Sequence, residues 1–597
     1  MDRTSVIVVT ICVILLFTWA PLLEKISPTP PQPIQPTNAA PAQVAGQTNA
    51  PAAAPLGQAQ PAPVSSTTTV QPPVVLESEK LKRIETEDSV YTFTSAGGLK
   101  TVALNNHKTK PCNGNGSENH DVILMNNGVD LPVFSLDGID DSEFEFSLVA
   151  DRDIVTMVST NQAGIRITKE FRAEANYLPR STITLTNPKT EPVALPQRKL
   201  MLGTAMPLQS GGRYPVWGAQ WHNGADMEDI DEGWFANRTL GCFPGTARSQ
   251  FVSAGQPVNW VGVHNRFFAM TTMPMEGAAG GQVYSIKTTH PLLNDPQDED
   301  EQYVHHTGIL ASLQFAKTLL QPGESIVQQF ITYAGPKEYQ VLKAHGETYK
   351  NSVDTVMGFG GFFGIFATIL LKAMNGLHGF GLGYALCIIV ITIIIKILFW
   401  PLTRASTVSM KRMAAYQPQM AEIREKYKDD KEKQNKRMME FMREYKINPM
   451  GGCLPILIQI PVFFGFFTML RSAVELRGAE FLWACDLSQS DTIAHIAGFP
   501  INPLPMIMGA TMILQARMTP MSPTADATQQ KIMKYMPLMF IVILYNFSAG
   551  LTLYWTVQNM LSILQTKLTK NIVVEAPLKS ENSPLAKPIK NKRKRKK

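Results

Sequence analysis

Apolar and polar positions follow two rhythms along this chain. From about Glu77 to Gly335 they alternate in short runs broken by Gly, Asn, Asp and Pro; SVYTFTSAGGLKTVAL (Ser89 to Leu104), IRITKEFRA (Ile165 to Ala173) and SIVQQFITYA (Ser325 to Ala334) are examples. A period of two with turn residues every ~8–12 positions predicts a large antiparallel β-sandwich. After Tyr339 the pattern turns helical and then apolar. Candidate membrane spans are Gly383–Trp400, Gly451–Leu470, Leu504–Ala516, Tyr535–Ala549 and Gly550–Leu564. Several are short for ~30 Å of hydrocarbon, and Pro455, Pro461 and Pro537 break or kink them, which implies a locally thinned bilayer or compensating neighbours. The last two meet at Asn546–Gly550, a tight turn between antiparallel helices. Gly358 to Leu371 is apolar, rich in Gly and Phe, and ends at Lys372, which predicts a helix lying in the membrane interface.

The start of the chain adds a sixth span. Val6 to Leu23 is an apolar run of signal-peptide type, but its end, Trp19-Ala20-Pro21-Leu22-Leu23, makes a poor small-residue cleavage site, so an uncleaved anchor is expected over a cleaved signal peptide. Ser27 to about Val75 is rich in Pro, Ala, Gln and Thr and cannot bury a core, so it reads as an extended linker. The expected division is an anchor over 1–25, a linker over 26–76, the β-sandwich over 77–336 and an interfacial helical segment over 337–380. A helical core over 381–570 contains a charged hairpin at 404–447, and a basic tail over 571–597 follows.

Charge orients the spans. The loop from Arg404 to Lys446 carries twelve Lys and Arg, the Arg517–Lys534 loop has Arg517, Lys531 and Lys534, and the tail ends NKRKRKK. The connection Arg471–Asn502 has Arg471 and Arg477 as its cations. The positive-inside rule therefore places both termini in the cytoplasm and the β-domain outside, with six spans.

Lys396 is the exceptional residue in this scheme. It sits in the apolar run GYALCIIVITIIIKILFWP, and no other predicted span holds an Asp or Glu to neutralise it. A charge at a span's centre costs at least ~2.5–3.5 kcal/mol, so it usually marks function or a water-filled cavity. It lies five residues before Pro401, about 8 Å of helix, so snorkelling to the interface is the competing account.

Other candidate chemistry is thin. Cys12, Cys112, Cys242, Cys387, Cys453 and Cys485 form no metal-like spacing; Cys112 and Cys242 share the soluble domain, but nothing demands that they pair. No metal site or cofactor is expected. Trp217, Trp221, His222 and Trp234 resemble a sugar-binding cluster, with core packing as the plainer account. The run Asp298–Glu301 reads as a solvated loop. Asp429 and Asp430 mark the turn of the charged hairpin, and Met410, Met413, Met420, Met438, Met439 and Met442 supply flexible apolar surface, with a solvated two-helix loop holding a thin apolar seam as the equal alternative. Asp429, Asp430, Met420 and Met438 are its candidate partner contacts. The tail residues Lys592, Arg593, Lys594, Arg595, Lys596 and Lys597 suit either ribosomal RNA or anionic lipid.

Several runs resemble the YidC/Oxa membrane-insertase family in order and spacing. They are KILFWPLTRASTVSM (Lys396 to Met410), NPMGGCLPILIQIPVFFGFFTML (Asn448 to Leu470), ARMTP with the downstream QQKIMKYMPLMF (Gln529 to Phe540), and SAGLTLYWTVQNMLSILQ (Ser548 to Gln565). Together they cover about Gly358 to Lys567. VNWVGVHNRFFAM (Val258 to Met270) resembles the large periplasmic β-domain of the Gram-negative branch.

The resemblance implies an α-helical polytopic membrane protein with a five-helix core, plus that β-sandwich, in the bacterial inner membrane. It implies a hydrophilic groove open to the cytoplasm and to lipid, in which typical members carry an arginine where this chain has Lys396. Thr392, Gln459, Phe463, Tyr554 and Trp555 match other groove positions. Lysine keeps the charge but loses the planar fork. The implied partners are nascent membrane proteins, the Sec translocon, the ribosome, the signal recognition particle receptor and the lipid bilayer. The implied activity is insertion, not covalent catalysis. Two other classes compete on the residues alone, an ion-coupled transporter and a membrane-anchored carbohydrate-binding protein.

Overall fold

Alternation becomes strand pairing in the first half of the molecule. In Arg166–Arg172 (RITKEFR), Ile167, Lys169 and Phe171 are buried while the residues between them reach solvent, and the antiparallel partner Arg180–Thr186 alternates in step, with Ile167 opposite Leu185 and Phe171 opposite Ser181. A computed structural model describes residues 79–569 apart from 109–120, 124–130, 140–144, 150–153, 207–215, 238–244, 254–256, 276–281, 292–304, 446–453, 497 and 519–526. The expected anchor and linker, Cys112, Cys242, Cys453, the acidic run 298–301 and the basic tail lie outside the described residues. The chain divides into two units, with the boundary at Val356/Met357.

The first unit is built on antiparallel sheets. Nine strands run in the spatial order Met227–Asp231, Gly218–His222, Trp260–His264, Phe268–Pro274, Ser325–Pro336, Arg180–Thr186, Arg166–Arg172, Ile154–Thr160 and Glu145–Val149. A five-stranded sheet, with Arg198–Ala205 and His305–Phe315 adjacent within it, packs on the nine-stranded one, so that Gly203 meets Val263 and Met270. Trp221, Trp260, Phe134, Phe330 and Tyr333 are fully buried. Three of the four aromatic residues considered for sugar binding make packing contacts here. Trp221 lies against Phe251, His222 stacks on Trp260, and Trp234 packs on Phe235 and Phe251 beneath the Arg248 guanidinium.

The expected 337–380 segment is split. Helix α2 (Tyr339–Tyr349; α1 is the short Glu232–Ala236) buries Leu342 and sets His345 against Tyr333, so the first unit extends to Val356. The sandwich face reached by Tyr333 and His345 supplies an apolar surface that the alternation rule does not extend to a helix.

A polar chain runs from buried Lys337 through buried His264 to Asp229 at the surface. The Lys337 ammonium donates to His264 Nδ1 (3.0 Å), which puts the imidazole proton on Nε2, within 3.0 Å of Asp229 Oδ1; Gln220 donates to the other Asp229 oxygen. Burial, reinforced by Lys337, pushes the His264 pKa down, and Asp229 only partly opposes this. Burial also lowers His222, against Asp226 and Asp354, and His345. A depressed folded-state pKa means that the unfolded chain binds more protons. The stability these neutral histidines contribute is therefore complete above the ordinary histidine pKa of ~6.5 and is lost as pH falls below it. The unit's melting temperature is expected to drop between pH 7 and pH 5, by about 2–4 °C per kcal/mol lost. His264→Gln should flatten that slope; an unchanged slope would assign the proton uptake to other groups.

The second unit is helical. Its described helices are α3 (Gly361–Gly379), α4 (Tyr384–Leu398), α5 (Trp400–Ala415), α6 (Gln417–Lys426), α7 (Lys431–Glu444), α8 (Leu454–Ser472), α9 (Pro503–Met518), α10 (Ala527–Leu544) and α11 (Ala549–Leu568). The helix expected to end at Leu371 runs on to Gly379. It lies parallel to the second half of α8, with Phe363 beside Phe464 and Asn375 donating to Glu475. Gly465 permits the approach, since a Cβ there would stand 2.7 Å from the Phe366 Cβ.

Helices stand at each of the five expected core positions. By length and composition α3 alone passes as a span among the described residues, and α4 with α5 passes as one broken span bent by 60°. At 1.5 Å per residue, the 15 residues of α4 and the 16 of α9 fall short of a full bilayer.

Candidate functional site

Lys396 lies in the last turn of α4, where exposed helix carbonyls favour a cation. Pro401 then cannot continue the hydrogen-bond ladder, and the chain bends into α5. The lysine does not simply reach past the helix end. Its ammonium donates to Ser562 Oγ on α11, at 2.8 Å. Ser562 spends its own proton on the Gln558 carbonyl, so its oxygen is left to accept. Among the described residues, the hydrogen-bond partner of this charge is a hydroxyl and not a carboxylate.

Ser562 belongs to a polar stripe. Gln558, Ser562, Gln565 and Thr569 are spaced by four, three and four residues, which is one face of a helix. Each of the last three meets the bent α4–α5 segment: Lys396 at Ser562, Thr403 at Gln565 (2.6 Å) and Lys411 at the Thr569 carbonyl. On a neighbouring face Asn559 donates to Thr511 of α9. An apolar helix with these side chains on its buried side tolerates a polar environment along half its length.

The other candidates gather one to two turns toward the start of α11. Tyr554 is buried, stacks on Phe466 with ring centroids 4.1 Å apart and hydrogen-bonds Gln459. Trp555, half-buried, is held between Phe463 (4.7 Å) and Phe540 (5.3 Å). From Tyr554 to Ser562 is about 12 Å along the axis. So α11 meets Gln459 at one level and Lys396 at another. Thr392, one turn before Lys396 on α4, is buried, and its hydroxyl donates to the Ile388 carbonyl. Tyr554 likewise is packed between helices, where its ring supports the wall.

Comparisons with known proteins bear on this arrangement. The model described as the YidC periplasmic domain matches residues 137–373, and that described as the 60Kd inner membrane protein matches 376–576. The two abut and together span both units. The chain belongs to the YidC/Oxa membrane-insertase family. A membrane protein insertase YidC of Syntrophus aciditrophicus (strain SB) is 40% identical over 52% of this chain and 52% of its own length. One of Pelobacter propionicus is 43% identical over 42% and 46%. One of Geotalea daltonii is 29% identical over 95% and 98%. The matched stretch thus spans about half the length of the first two relatives. A YidC insertase crystal structure with its first transmembrane domain resolved is similar over 82% of this chain and 93% of that one, at 18% identity and a TM-score of 0.33.

Within the YidC/Oxa core, the charged hairpin corrects one expectation. Met420 and Met438 are not on its surface. They are buried with Met413, Tyr416, Ile423 and Phe441 in a core of its own, because residues 413, 416, 420 and 423 recur at helical spacing and face the same rhythm on α7. Met439 is exposed instead. Asp430 caps α7, accepting from the Lys433 backbone at 3.0 Å and from its ammonium at 2.7 Å, while Asp429 stays exposed. Among the described residues no cluster of His, Cys, Asp and Glu could hold a metal. Cys387 is free and buried, and Cys485 is disulfide-bonded.

Proposed function

We propose that this protein inserts nascent membrane proteins into the bacterial inner membrane, using the α4–α11 interface as a docking site for polar flanks of incoming helices. The observation that carries the reading is a single ammonium held by a serine hydroxyl beside a polar helix stripe. Moving a short polar flank across hydrocarbon is opposed by its desolvation. A polar track partway through the bilayer shortens the apolar path, and an unneutralised cation attracts acidic flanks. No bond is made or broken. A coupled transporter needs acidic partners for its ion, and the candidate spans offer none.

The family and the charge pattern support the finer topology: an anchor and five core helices, cytoplasmic termini and a periplasmic β unit. In that topology α3 cannot be a further crossing. The chain would enter it outside, and α4 must still end at the cytoplasmic hairpin. Helix α3 then lies within the outer half of the membrane beside α8. Ribosome, Sec translocon and signal recognition particle receptor are proposed partners of the cytoplasmic segments, with Asp429, Met439 and the basic tail as contact points. Site-specific photocrosslinkers at Lys396, Gln459 and Trp555 should capture a ribosome-bound nascent chain during insertion. Capture from Leu514 or Val542, exposed on α9 and α10, in place of these three would move the path to the other side of the bundle.

A further inference from the structure

The connection between α8 and α9 ends in a two-stranded antiparallel ribbon, Ala494–Ile496 with Phe499–Ile501. Ala494 stands opposite Ile501, His495 opposite Pro500 and Ile496 opposite Phe499. Opposed residues share a face of a ribbon, and successive residues alternate between faces. One face therefore presents Ala494, Ile496, Phe499 and Ile501 and nothing polar; His495 and Pro500 take the other. Ile496 is 66% exposed, Phe499 57%, and Ile493, just before the ribbon, 55%. From Thr492 to Pro503 the chain contains no Asp, Glu, Lys or Arg. A water-washed tip has no use for a bare apolar face, and such patches mark an interaction.

The ribbon's base is fixed. The Tyr545 hydroxyl donates to the Pro500 carbonyl (2.6 Å), and the Asn502 amide donates to the Tyr545 carbonyl (2.8 Å). Asp491 accepts from the Leu504 backbone and the Trp483 indole. Burial keeps the Asp491 pKa above the ordinary aspartate range. The apolar face is thus held in place before anything covers it.

What covers it follows from where it is anchored. Tyr545 immediately follows α10, whose Leu538, Met539, Val542 and Ile543 are each more than half exposed. The Phe499 ring lies 5.1 Å from that of Tyr545. The apolar surface that the membrane reading sets against lipid therefore continues onto the ribbon.

We infer that the ribbon is seated in the outward-facing leaflet, with Ile496 and Phe499 against the upper acyl chains; this rests on the membrane-embedded reading above. The depth is set by the backbone. A two-stranded ribbon leaves its outer N–H and C=O groups unpaired, which hydrocarbon does not tolerate. The ribbon lies at the interface and does not reach the bilayer centre.

The test uses the full chain in phosphatidylcholine–phosphatidylglycerol vesicles, with an environment-sensitive fluorescent amino acid at Ile496 and, separately, at Val542. Phospholipids brominated near the top of the acyl chain should quench the Ile496 label more than those brominated near its end, and aqueous iodide should quench it little. Quenching by iodide without bromolipid would place the ribbon in water. Protection from both quenchers would mean that protein covers it. Either result overturns the inference. The Val542 label keeps the two readings apart: bromolipid quenching there but not at Ile496 removes the ribbon's seat alone, and its absence at both positions removes the embedding of the helices.

Discussion

Lys396→Glu is expected to cut insertion of substrates with acidic translocated flanks by about tenfold while leaving neutral flanks much less affected. Two opposite charges ~8 Å apart interact by ~2 kcal/mol at an effective dielectric near 20, and ~1.4 kcal/mol already amounts to a factor of ten. The substitution removes that attraction and replaces it with repulsion. Lys396→Arg keeps the charge at the same helix end and should insert both classes nearly as the parent does. The measurement is insertion in proteoliposomes of paired substrates differing only in the flank, at matched protein levels. Equal loss for both pairs would show that the residue supports the fold and has no docking role. The charge is suited to this because its neighbour Ser562 is neutral.

Much of this architecture was legible because periodicity reports burial directly. The runs at Ser89–Leu104 and Arg166–Arg172 alternate, and they became strands; the apolar runs became helices at the expected places. Composition alone leaves the hairpin methionines open between an adaptable surface and a thin apolar seam. The spacing of 413, 416, 420 and 423 describes the seam, and the structure buries it.

The site was half readable. Lys396 stands out as a lone charge, but its partner lies 166 residues away, and nothing local distinguishes Ser562 from any serine tolerated in a span. The signal was the four–three–four spacing of Gln558, Ser562, Gln565 and Thr569, which marks a polar face on α11 without saying what faces it. That second half comes from the bend at Pro401, which lets α4 and α5 follow one side of α11 in succession. The bend angle is a tertiary outcome, and no window of sequence contains it.

Ser562 also allows the charge to be cancelled without touching Lys396. Ser562→Asp would set a carboxylate where the hydroxyl now accepts from the ammonium at 2.8 Å. The new pair satisfies itself, and an incoming acidic flank would then have to displace a fixed counter-ion. Desolvating such a pair roughly offsets its attraction, so the protein should still fold, which its level in the membrane will show. The expected result is a loss of preference between acidic and neutral flanks, approaching that of Lys396→Glu. Ser562→Ala removes one hydrogen bond, about 1 kcal/mol, and leaves the cation unneutralised, so it should retain the preference while lowering insertion only slightly. The ratio between substrate classes, read from the same proteoliposome assay, separates docking from stability because a folding defect lowers both. If Ser562→Asp keeps the wild-type ratio, the ammonium is not what acidic flanks meet. The polar stripe of α11 would then have to act through hydration alone.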